Sequence, residues 1–183
     1  FRREFLGNVS HELKTPIFNI QGYIHTLLDG ALYDENVNQQ YLERTSKSVD
    51  RMINIVEDLE MISKIESDRL ELEFTDWDIV SMTQDVLEQV EMKAKKRSVS
   101  LQFEKEYPPI RVNGDRDKMI QVMINLVVNS IKYGKEGGVT QVRFYEMGEN
   151  ILVEVADDGI GISEQNLPRL FERFYRVDKS RSR

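Results

Sequence analysis

Residues 5–23 read FLGNVSHELKTPIFNIQGY, and apolar residues recur through them at the spacing of one face of an α-helix. At about 100° per residue, the apolar side chains of this region form one broad stripe: Phe5, Val9, Leu13, Pro16, Ile17, Ile20, Ile24, Leu27 and Leu28. His11 lies about 165° from the middle of that stripe, so we expect its imidazole to face solvent. Thr15 lies about 40° from His11 on the same face, and Glu12 projects from the adjoining flank. These three side chains can therefore meet one substrate together.

A second amphipathic helix follows after a short break. Gly30 predicts the end of the first helix, and Asp34 is a suitable N-cap for the second. The second helix also has one apolar face, formed by Tyr41, Thr45, Val49, Met52, Ile53, Val56 and Leu59. Two long helices with a short connection predict an antiparallel hairpin. Such a hairpin cannot cover its own apolar stripes, so we expect a homodimer that closes a four-helix bundle.

Composition excludes several classes of function. The chain has no cysteine, which rules out disulfides, thiolate zinc sites and cysteine nucleophiles within it. Its two histidines, His11 and His25, lie 14 residues apart with no third histidine, so they are unlike the ligands of a metal site. The net charge of -7 argues against a general nucleic-acid or anionic-membrane surface. No apolar run approaches the roughly 20 residues needed to cross a bilayer, and we expect no membrane contact within this sequence.

After Glu66 the pattern changes from helical to mixed. The spacing predicts three elements in order: a strand over 70–74, a helix over 78–96 and a strand over 99–104. We place the domain boundary near Ser67 and Asp68. The chain then divides into a first domain, 1–67, and a second domain, 68–183.

The next helix, DRDKMIQVMINLVVNSIKYG at 115–134, has Asp115 as its predicted N-cap. Asn125, Asn129 and Lys132 share one of its faces, spread over about 60°. Amide oxygens can ligate a hard cation, and an ammonium can neutralise phosphate oxygens. Solvated Asn and Lys residues are common on helix surfaces, so this pattern alone does not establish a phosphate and magnesium site.

Two strands, 139–148 and 150–157, are predicted to form a hairpin. They lead into Asp157-Asp158-Gly159-Ile160-Gly161-Ile162. A carboxylate here can accept a hydrogen bond from the exocyclic amine of adenine, and glycines let the backbone approach the base. Further along, an apolar cover over a loop is predicted from Leu167, Leu170, Phe171, Phe174 and Tyr175.

Four of these segments, in this order and spacing, resemble the sequence boxes of the sensor histidine kinases of two-component systems. Residues 11–16, HELKTP, are similar to the H-box, and residues 125–133 to the N-box, with Ser130 where Ala is commoner. Residues 157–162 resemble the G1 box, with Asp158 where Asn is usual, and residues 171–176 the F-box. The resemblance covers essentially the whole chain.

The resemblance implies an α+β multidomain fold. It consists of a long antiparallel helical hairpin followed by an α/β sandwich ATP-binding domain with a mixed sheet, of the type found in gyrase, heat-shock chaperones and kinases. Family members continue past the F-box with a Gly-rich G2 box and further strands, so the domain is expected to be incomplete at Arg183. We therefore expect this chain by itself to bind ATP weakly or not at all.

The resemblance also implies roles for residues of the H-box. His11 is expected to accept the phosphoryl group, and Glu12 is the natural acceptor for the imidazole proton. Thr15 resembles the residue that orients water for dephosphorylation of the partner, which implies a phosphatase activity as well. Partners implied are a second copy of the chain and the receiver domain of a response regulator. The resemblance places the chain in the cytoplasmic portion of a membrane-anchored bacterial sensor.

The resemblance implies that the second domain binds ATP with Mg²⁺. It implies that Asn129 ligates the metal, that Asn125 lies beside the phosphates, and that Lys132 and Tyr133 contact the nucleotide. It also implies that Asp157, Gly159 and Gly161 surround adenine, and that Arg176 contacts the transferred phosphoryl group.

Two alternatives remain open at this point. One is a degenerate, non-catalytic module that only dimerises and docks a partner, which the missing G2 box and Asp158 favour. The other is an ATPase of the gyrase or chaperone type, which uses a glutamate to activate water. Asn125 stands at the corresponding place, and a carboxamide is not a general base, so the expected acceptor is His11.

Overall fold

The computed structural model describes residues 2–172 and 175, and it divides into two compact units. Among the described residues, the first unit contains those up to Leu70 together with residues 164–172 and 175, and the second contains Glu71–Ser163. The division after Leu70 lies close to the predicted boundary at Ser67 and Asp68. Residues 164–172 and 175, which were predicted to belong to the second domain, group with the first unit.

The first unit is built on two long helices, α1 (Arg2–Leu28) and α2 (Asn38–Glu66), joined through a short 3₁₀ turn. Two contacts show that they run antiparallel. Glu12 pairs with Arg51, and the Tyr23 and Tyr41 ring centroids lie 6.0 Å apart, so residues later in α1 meet residues earlier in α2. The predicted helical hairpin is confirmed.

The connection between α1 and α2 begins as predicted, but the start of α2 differs from the prediction. Gly30 adopts a φ of 121°, which a residue with a side chain rarely adopts, and α1 ends just before it. Asp34, however, is not the N-cap of α2, which begins at Asn38. The Asp34 carboxylate instead accepts the Asn36 N–H at 2.9 Å. Short acidic side chains often form this local turn, and here it precedes the helix.

Within the hairpin, part of the predicted apolar stripe of α1 is buried, whereas the buried residues of α2, Ser48 and Ile55, lie outside its predicted stripe. The buried positions on the two helices include Val9, Pro16, Leu27, Ser48 and Ile55. Other apolar side chains remain between 41% and 71% exposed: Ile17, Ile24, Leu28, Val49, Ile53 and Val56. One partner helix therefore leaves apolar side chains of both α1 and α2 exposed. No helix in residues 2–172 combines the length and apolar character that crossing a membrane requires.

The second unit is an α/β arrangement in which two helices pack on a mixed sheet. Its elements in chain order are β1 (Thr75–Asp78), α3 (Ile79–Lys96), β2 (Ser100–Phe103), β3 (Arg111–Gly114), α4 (Arg116–Tyr133), β4 (Val139–Met147) and β5 (Asn150–Asp157). Strand β4 is central, parallel to β2 and antiparallel to β5, while β1 and β3 form a separate antiparallel pair. The predicted fold class, a helical hairpin followed by an α/β domain with a mixed sheet, is confirmed.

The first strand of this unit is not where the sequence pattern placed it. The predicted strand over 70–74 is wrong, and the strand lies at Thr75–Asp78. Trp77 decides this placement because its ring is buried and its Nε1–H donates to the Gly114 carbonyl at 2.8 Å. Phe74, the last apolar residue of the predicted strand, is 64% exposed.

Each of the two helices follows an aspartate that caps it, and Asp115 is the predicted cap of α4. Asp78 caps α3 by accepting the Val80 N–H at 3.1 Å, and Asp115 caps α4 by accepting the Lys118 N–H at 3.0 Å. The backbone N–H groups, that of Lys118 first, hold the pKa of Asp115 below its usual value. Both helices then pack on the sheet through a core that includes Met82, Val86, Val90, Met123, Val127, Ile131, Val142 and Phe144.

Candidate functional site

The candidate phospho-acceptor lies on an open helix surface. His11 is exposed on α1, as its position opposite the apolar stripe predicts. The Thr15 hydroxyl donates to the His11 carbonyl at 3.2 Å, one turn along the same face. His11 and Thr15 are therefore neighbours that an approaching molecule can reach.

Glu12 differs from these two because it is engaged across the hairpin. Its Oε2 accepts from Arg51 Nη2 on α2 at 2.8 Å, and its side chain is 21% exposed. Sequence reasoning missed Arg51. The antiparallel pairing of the two helices could have found it, since that pairing places position 51 opposite position 12.

The candidate nucleotide residues of the second unit begin on α4. Asn125, Asn129, Lys132 and Tyr133 are all exposed there, and Lys132 Nζ lies 4.9 Å from the centroid of the Tyr133 ring. The end of this helix is held by Arg97, whose Nη2 donates to the Lys132 carbonyl at 2.7 Å. Asn125, Asn129 and Lys132 are thus exposed together on α4, as their shared face predicts. Arg97, the residue that follows α3, fixes the last turn of this helix.

The loop after β5 is tied to the end of α4. The Gly159 N–H donates to Asp157 Oδ1 at 2.8 Å, and the Ile160 N–H donates to the Tyr133 carbonyl at 3.1 Å. A Cβ atom on Gly159 would overlap that carbonyl oxygen and lie 2.6 Å from Asp157 Oδ1. Gly161 has a φ of 68°, in the left-handed region that favours glycine. Glycine at 159 is therefore required by close backbone approach, and at 161 by conformation.

A buried pair of hydroxyl groups lies beside Asp157. Thr140 on β4 is the register partner of Asp157 on β5, so both side chains point to the same face of the sheet. Thr140 Oγ1 lies 2.8 Å from Ser130 Oγ on α4, and Ser130 Oγ is also 2.8 Å from the Val127 carbonyl. That carbonyl can only accept, so the Ser130 proton goes to it and Thr140 donates to Ser130. Ser130 thus links α4 to the sheet next to the candidate adenine site.

Asp158 has a structural role that sequence reasoning did not foresee. Its Oδ1 accepts the Val139 N–H at 3.1 Å, and it lies tightly against Gly138, where a Cβ atom would overlap it. An asparagine offers the same Oδ1 acceptor. The aspartate is therefore compatible with the loop geometry.

These groups fit an adenine nucleotide. A carboxylate at the end of β5, a glycine loop, and two amides with an ammonium on α4 are joined by the link between Ile160 and Tyr133. In the part of the chain that the structure describes, no three acidic or histidine side chains form a metal site. A cation here would depend on the Asn129 amide and on the phosphate oxygens of the nucleotide itself.

The segment that resembles the F-box is described up to residue 172 and at Tyr175. The predicted apolar cover is not formed by Leu167, Leu170 or Phe171, which are exposed, Phe171 at 97%. Tyr175 donates its hydroxyl to Asn166 Oδ1 at 2.6 Å. Two residues of the sequence analysis, Phe174 and Arg176, lie outside the described residues.

Comparisons with known proteins match both units. Residues 1–68 match the model of the His Kinase A (phospho-acceptor) domain, and residues 114–183 match that of the histidine kinase-, DNA gyrase B- and HSP90-like ATPases. The whole chain is 36% identical over 186 residues to the sensor histidine kinase WalK of Bacillus subtilis, and it covers 30% of that protein's length.

Solved structures agree with the sequence matches. The histidine kinase AdeS of Acinetobacter baumannii superposes with a TM-score of 0.73 and 27% identity, covering 88% of this chain and 78% of that one. The histidine kinase ThkA, in its complex with the response regulator protein TrrA, superposes with a TM-score of 0.77 and 28% identity, covering 94% of this chain and 50% of that one. With four sequence boxes, two family models and this fold in agreement, the chain belongs to the sensor histidine kinases of two-component systems.

Proposed function

We propose that this protein is an ATP-dependent histidine kinase that phosphorylates itself on His11 and passes the phosphoryl group to an aspartate of a response regulator. The observation that carries the proposal is an exposed histidine directly followed by a carboxylate that is held in place across the hairpin. Exposure gives the γ-phosphate access to the imidazole. The neighbouring carboxylate gives the imidazole proton a destination.

In the reaction, one ring nitrogen of His11 bonds to the γ-phosphorus while the bond from that phosphorus to the bridging oxygen breaks and ADP leaves. The proton on the other ring nitrogen passes to Glu12. Arg176, which lies outside the described residues, is proposed to stabilise the charge on the phosphoryl group during its transfer.

The second unit is proposed to bind the nucleotide. Asp157 accepts the adenine amine, with Gly159 and Gly161 allowing the base to approach the backbone. Asn129 ligates Mg²⁺, Asn125 lies beside the phosphates, and Lys132 and Tyr133 contact the nucleotide. This arrangement is supported by the link that joins the loop after β5 to the end of α4.

Partners follow from the same proposal. The exposed apolar stripes of α1 and α2 would be covered in a homodimer that forms a four-helix bundle. ThkA is seen with a response regulator, and we propose a receiver domain as the partner of this chain too. Thr15 would orient a water molecule for dephosphorylation of that partner. Since ATP and receiver domains are cytoplasmic, we place this chain on the cytoplasmic side of a membrane-anchored bacterial sensor.

The test is phosphorylation of the full-length protein with γ-labelled ATP and Mg²⁺, beside variants His11→Gln and His25→Gln. His25 is the matched control because it is also exposed on α1. We expect acid-labile, alkali-stable label on the wild type and on His25→Gln, and none on His11→Gln. Nucleotide binding without any label would favour the docking module, and steady release of phosphate without label would favour the ATPase.

A further inference from the structure

The ion pair between Glu12 and Arg51 occupies a defined layer of the hairpin. Residues three before and four after each partner are buried: Val9 and Pro16 on α1, and Ser48 and Ile55 on α2. Both partners therefore lie on the lines along which the two helices contact each other. The pair is a bridge between α1 and α2 and not a chance contact of two surface side chains.

Partial burial makes this pair more specific in geometry than a surface ion pair. The side chains of Arg51 and Glu12 are 36% and 21% exposed, and Nη2 lies 2.8 Å from Oε2. Guanidinium groups hold carboxylates in a fixed direction, since their N–H donors lie in a rigid plane. With Oε2 engaged by this hydrogen bond, a residue of the other helix restrains the Glu12 carboxylate.

The position of the pair connects it to the proposed chemistry. Glu12 directly follows His11 in the chain, and a proton acceptor must lie within hydrogen-bond reach of the group that it serves. A free glutamate on a helix surface samples several rotamers, most of which point its carboxylate away from a neighbouring side chain. A carboxylate fixed from α2 spends more of its time in one orientation.

We propose that Arg51 is a positioning residue that orients Glu12 to accept the imidazole proton when His11 is phosphorylated. The inference rests on the proposed function and adds a residue outside the H-box to its machinery. Arg51 itself touches neither the nucleotide nor the reacting atoms. It acts on the rate of proton transfer through Glu12.

The experiment measures autophosphorylation of the full-length protein by γ-labelled ATP and Mg²⁺ for Arg51→Met, which keeps the packing of the side-chain stem while removing the charge. We expect kcat to fall about 10- to 100-fold, below the loss of about 10²- to 10⁴-fold that removal of a general base can cause. The KM for ATP should stay unchanged, because Arg51 lies in the helical hairpin. Arg51→Lys should recover part of the rate, since it keeps the charge.

A double-mutant cycle separates positioning from a merely structural role. In a Glu12→Gln background, Arg51→Met should change the rate by less than about twofold, because the carboxylate that it orients is gone. Equal losses in both backgrounds, or no loss in either, would overturn the inference. Lys47→Ala is the matched control, an exposed cation one turn earlier on α2, and it should leave the rate unchanged.

Two further readouts separate this inference from the proposed function. Transfer from His11 that has been phosphorylated chemically, with phosphoramidate, to a receiver domain should be as fast in Arg51→Met as in the wild type. If the wild type takes up label and Arg51→Met is equally active, only the proposed role of Arg51 is overturned. A wild type that takes up no label would overturn the proposed function and the role of Arg51 with it.

Discussion

The histidine region and the nucleotide region fix their candidate residues in different ways. Around His11, the side chains lie on an open helix surface, and Glu12 is held by Arg51 from 39 positions further along the chain. Around Asp157, the geometry comes from the backbone: the Gly159 N–H holds the carboxylate, and the Ile160 N–H holds the loop to α4. One region depends on a side-chain bridge, and the other on close backbone contacts.

This difference predicts different responses to substitution. A side-chain bridge can be removed while the fold remains, and the loss should appear in the rate of reaction. The hydrogen bond from the Ile160 N–H to the Tyr133 carbonyl has no side chain to remove, so it is broken by adding atoms where there is no space. The nucleotide region should therefore respond most strongly to added volume, and the histidine region to lost charge.

The largest effect is expected from Gly159→Ala. The added Cβ atom would overlap the Tyr133 carbonyl oxygen, so the loop must shift away from α4. Overpacking of this kind typically costs about 1–3 kcal/mol of unfolding free energy. It should also break the hydrogen bond from Ile160 to Tyr133. Calorimetric titration of the full-length variant with an ATP analogue should then detect little or no binding, in contrast to the full-length wild type.

Gly114→Ala is the control for that experiment. A Cβ atom there would make only an ordinary contact, at 3.9 Å from the Trp77 ring. In the full-length protein, we expect this variant to keep both stability and nucleotide binding. If Gly159→Ala bound nucleotide as well as Gly114→Ala does, the nucleotide region would not depend on close backbone approach, and the contrast between the two regions would fail.

A smaller effect is expected from Asp157→Asn. Asparagine can still accept the Gly159 N–H, so the loop should keep its shape, but the charged acceptor for the adenine amine is lost. A hydrogen bond to a charged group contributes about 1.5–3 kcal/mol, so the affinity of the full-length protein for an ATP analogue should fall about 10- to 100-fold. Glu149→Gln removes the same charge at the hairpin turn and should leave affinity unchanged. Equal losses of affinity in Asp157→Asn and Glu149→Gln would mean that the affinity depends on net charge and not on the acceptor at position 157.

Sequence alone predicted the parts of the molecule whose causes are local. The Asp115 cap and the β4–β5 hairpin depend on residues within a few positions of one another, and both were found where predicted. The two errors of placement have different causes, a tertiary contact for the first strand and a competing local turn for the cap. The strand at 70–74 was misplaced because Trp77 pairs with Gly114, and Asp34 was mistaken for a cap because it closes an earlier turn.

The same limit applies to the candidate site. The exposure of His11 and the shared face of Asn125 and Asn129 follow from helical periodicity, which can be read directly from a sequence. Arg51 and Thr140 do not belong to any motif, and their partners lie on other elements. The pairing of helices brings Arg51 to Glu12 in the first unit, and the register of strands brings Thr140 beside Asp157 in the second.

The hydroxyl pair beside Asp157 gives a prediction of stability. Ser130→Ala removes the group that accepts from Thr140, and the buried threonine hydroxyl is left without a partner, at a cost of about 1–3 kcal/mol in the free energy of unfolding. Replacing both residues, as Ser130→Ala with Thr140→Val, removes donor and acceptor together. In urea unfolding, the double variant should be more stable than Ser130→Ala. The reverse order would show that the pair does not act as a unit.

The smallest effect is expected from Asp158→Asn. The asparagine Oδ1 can still accept the Val139 N–H, so the start of β4 should be unchanged, while one negative charge beside the candidate nucleotide site disappears. Exposed charges interact weakly across water, and salt screens them over about 10 Å at 0.1 M, so we expect the affinity for an ATP analogue to rise only about two- to threefold at low salt. The gain should vanish in high salt. Asp158→Ala removes the charge and the acceptor together, so a lower affinity in Asp158→Ala beside a higher one in Asp158→Asn would show that this position acts through the backbone. A gain that persisted in high salt would mean instead that Asp158 acts through its charge at close range, as Glu12 and Arg51 do in the hairpin.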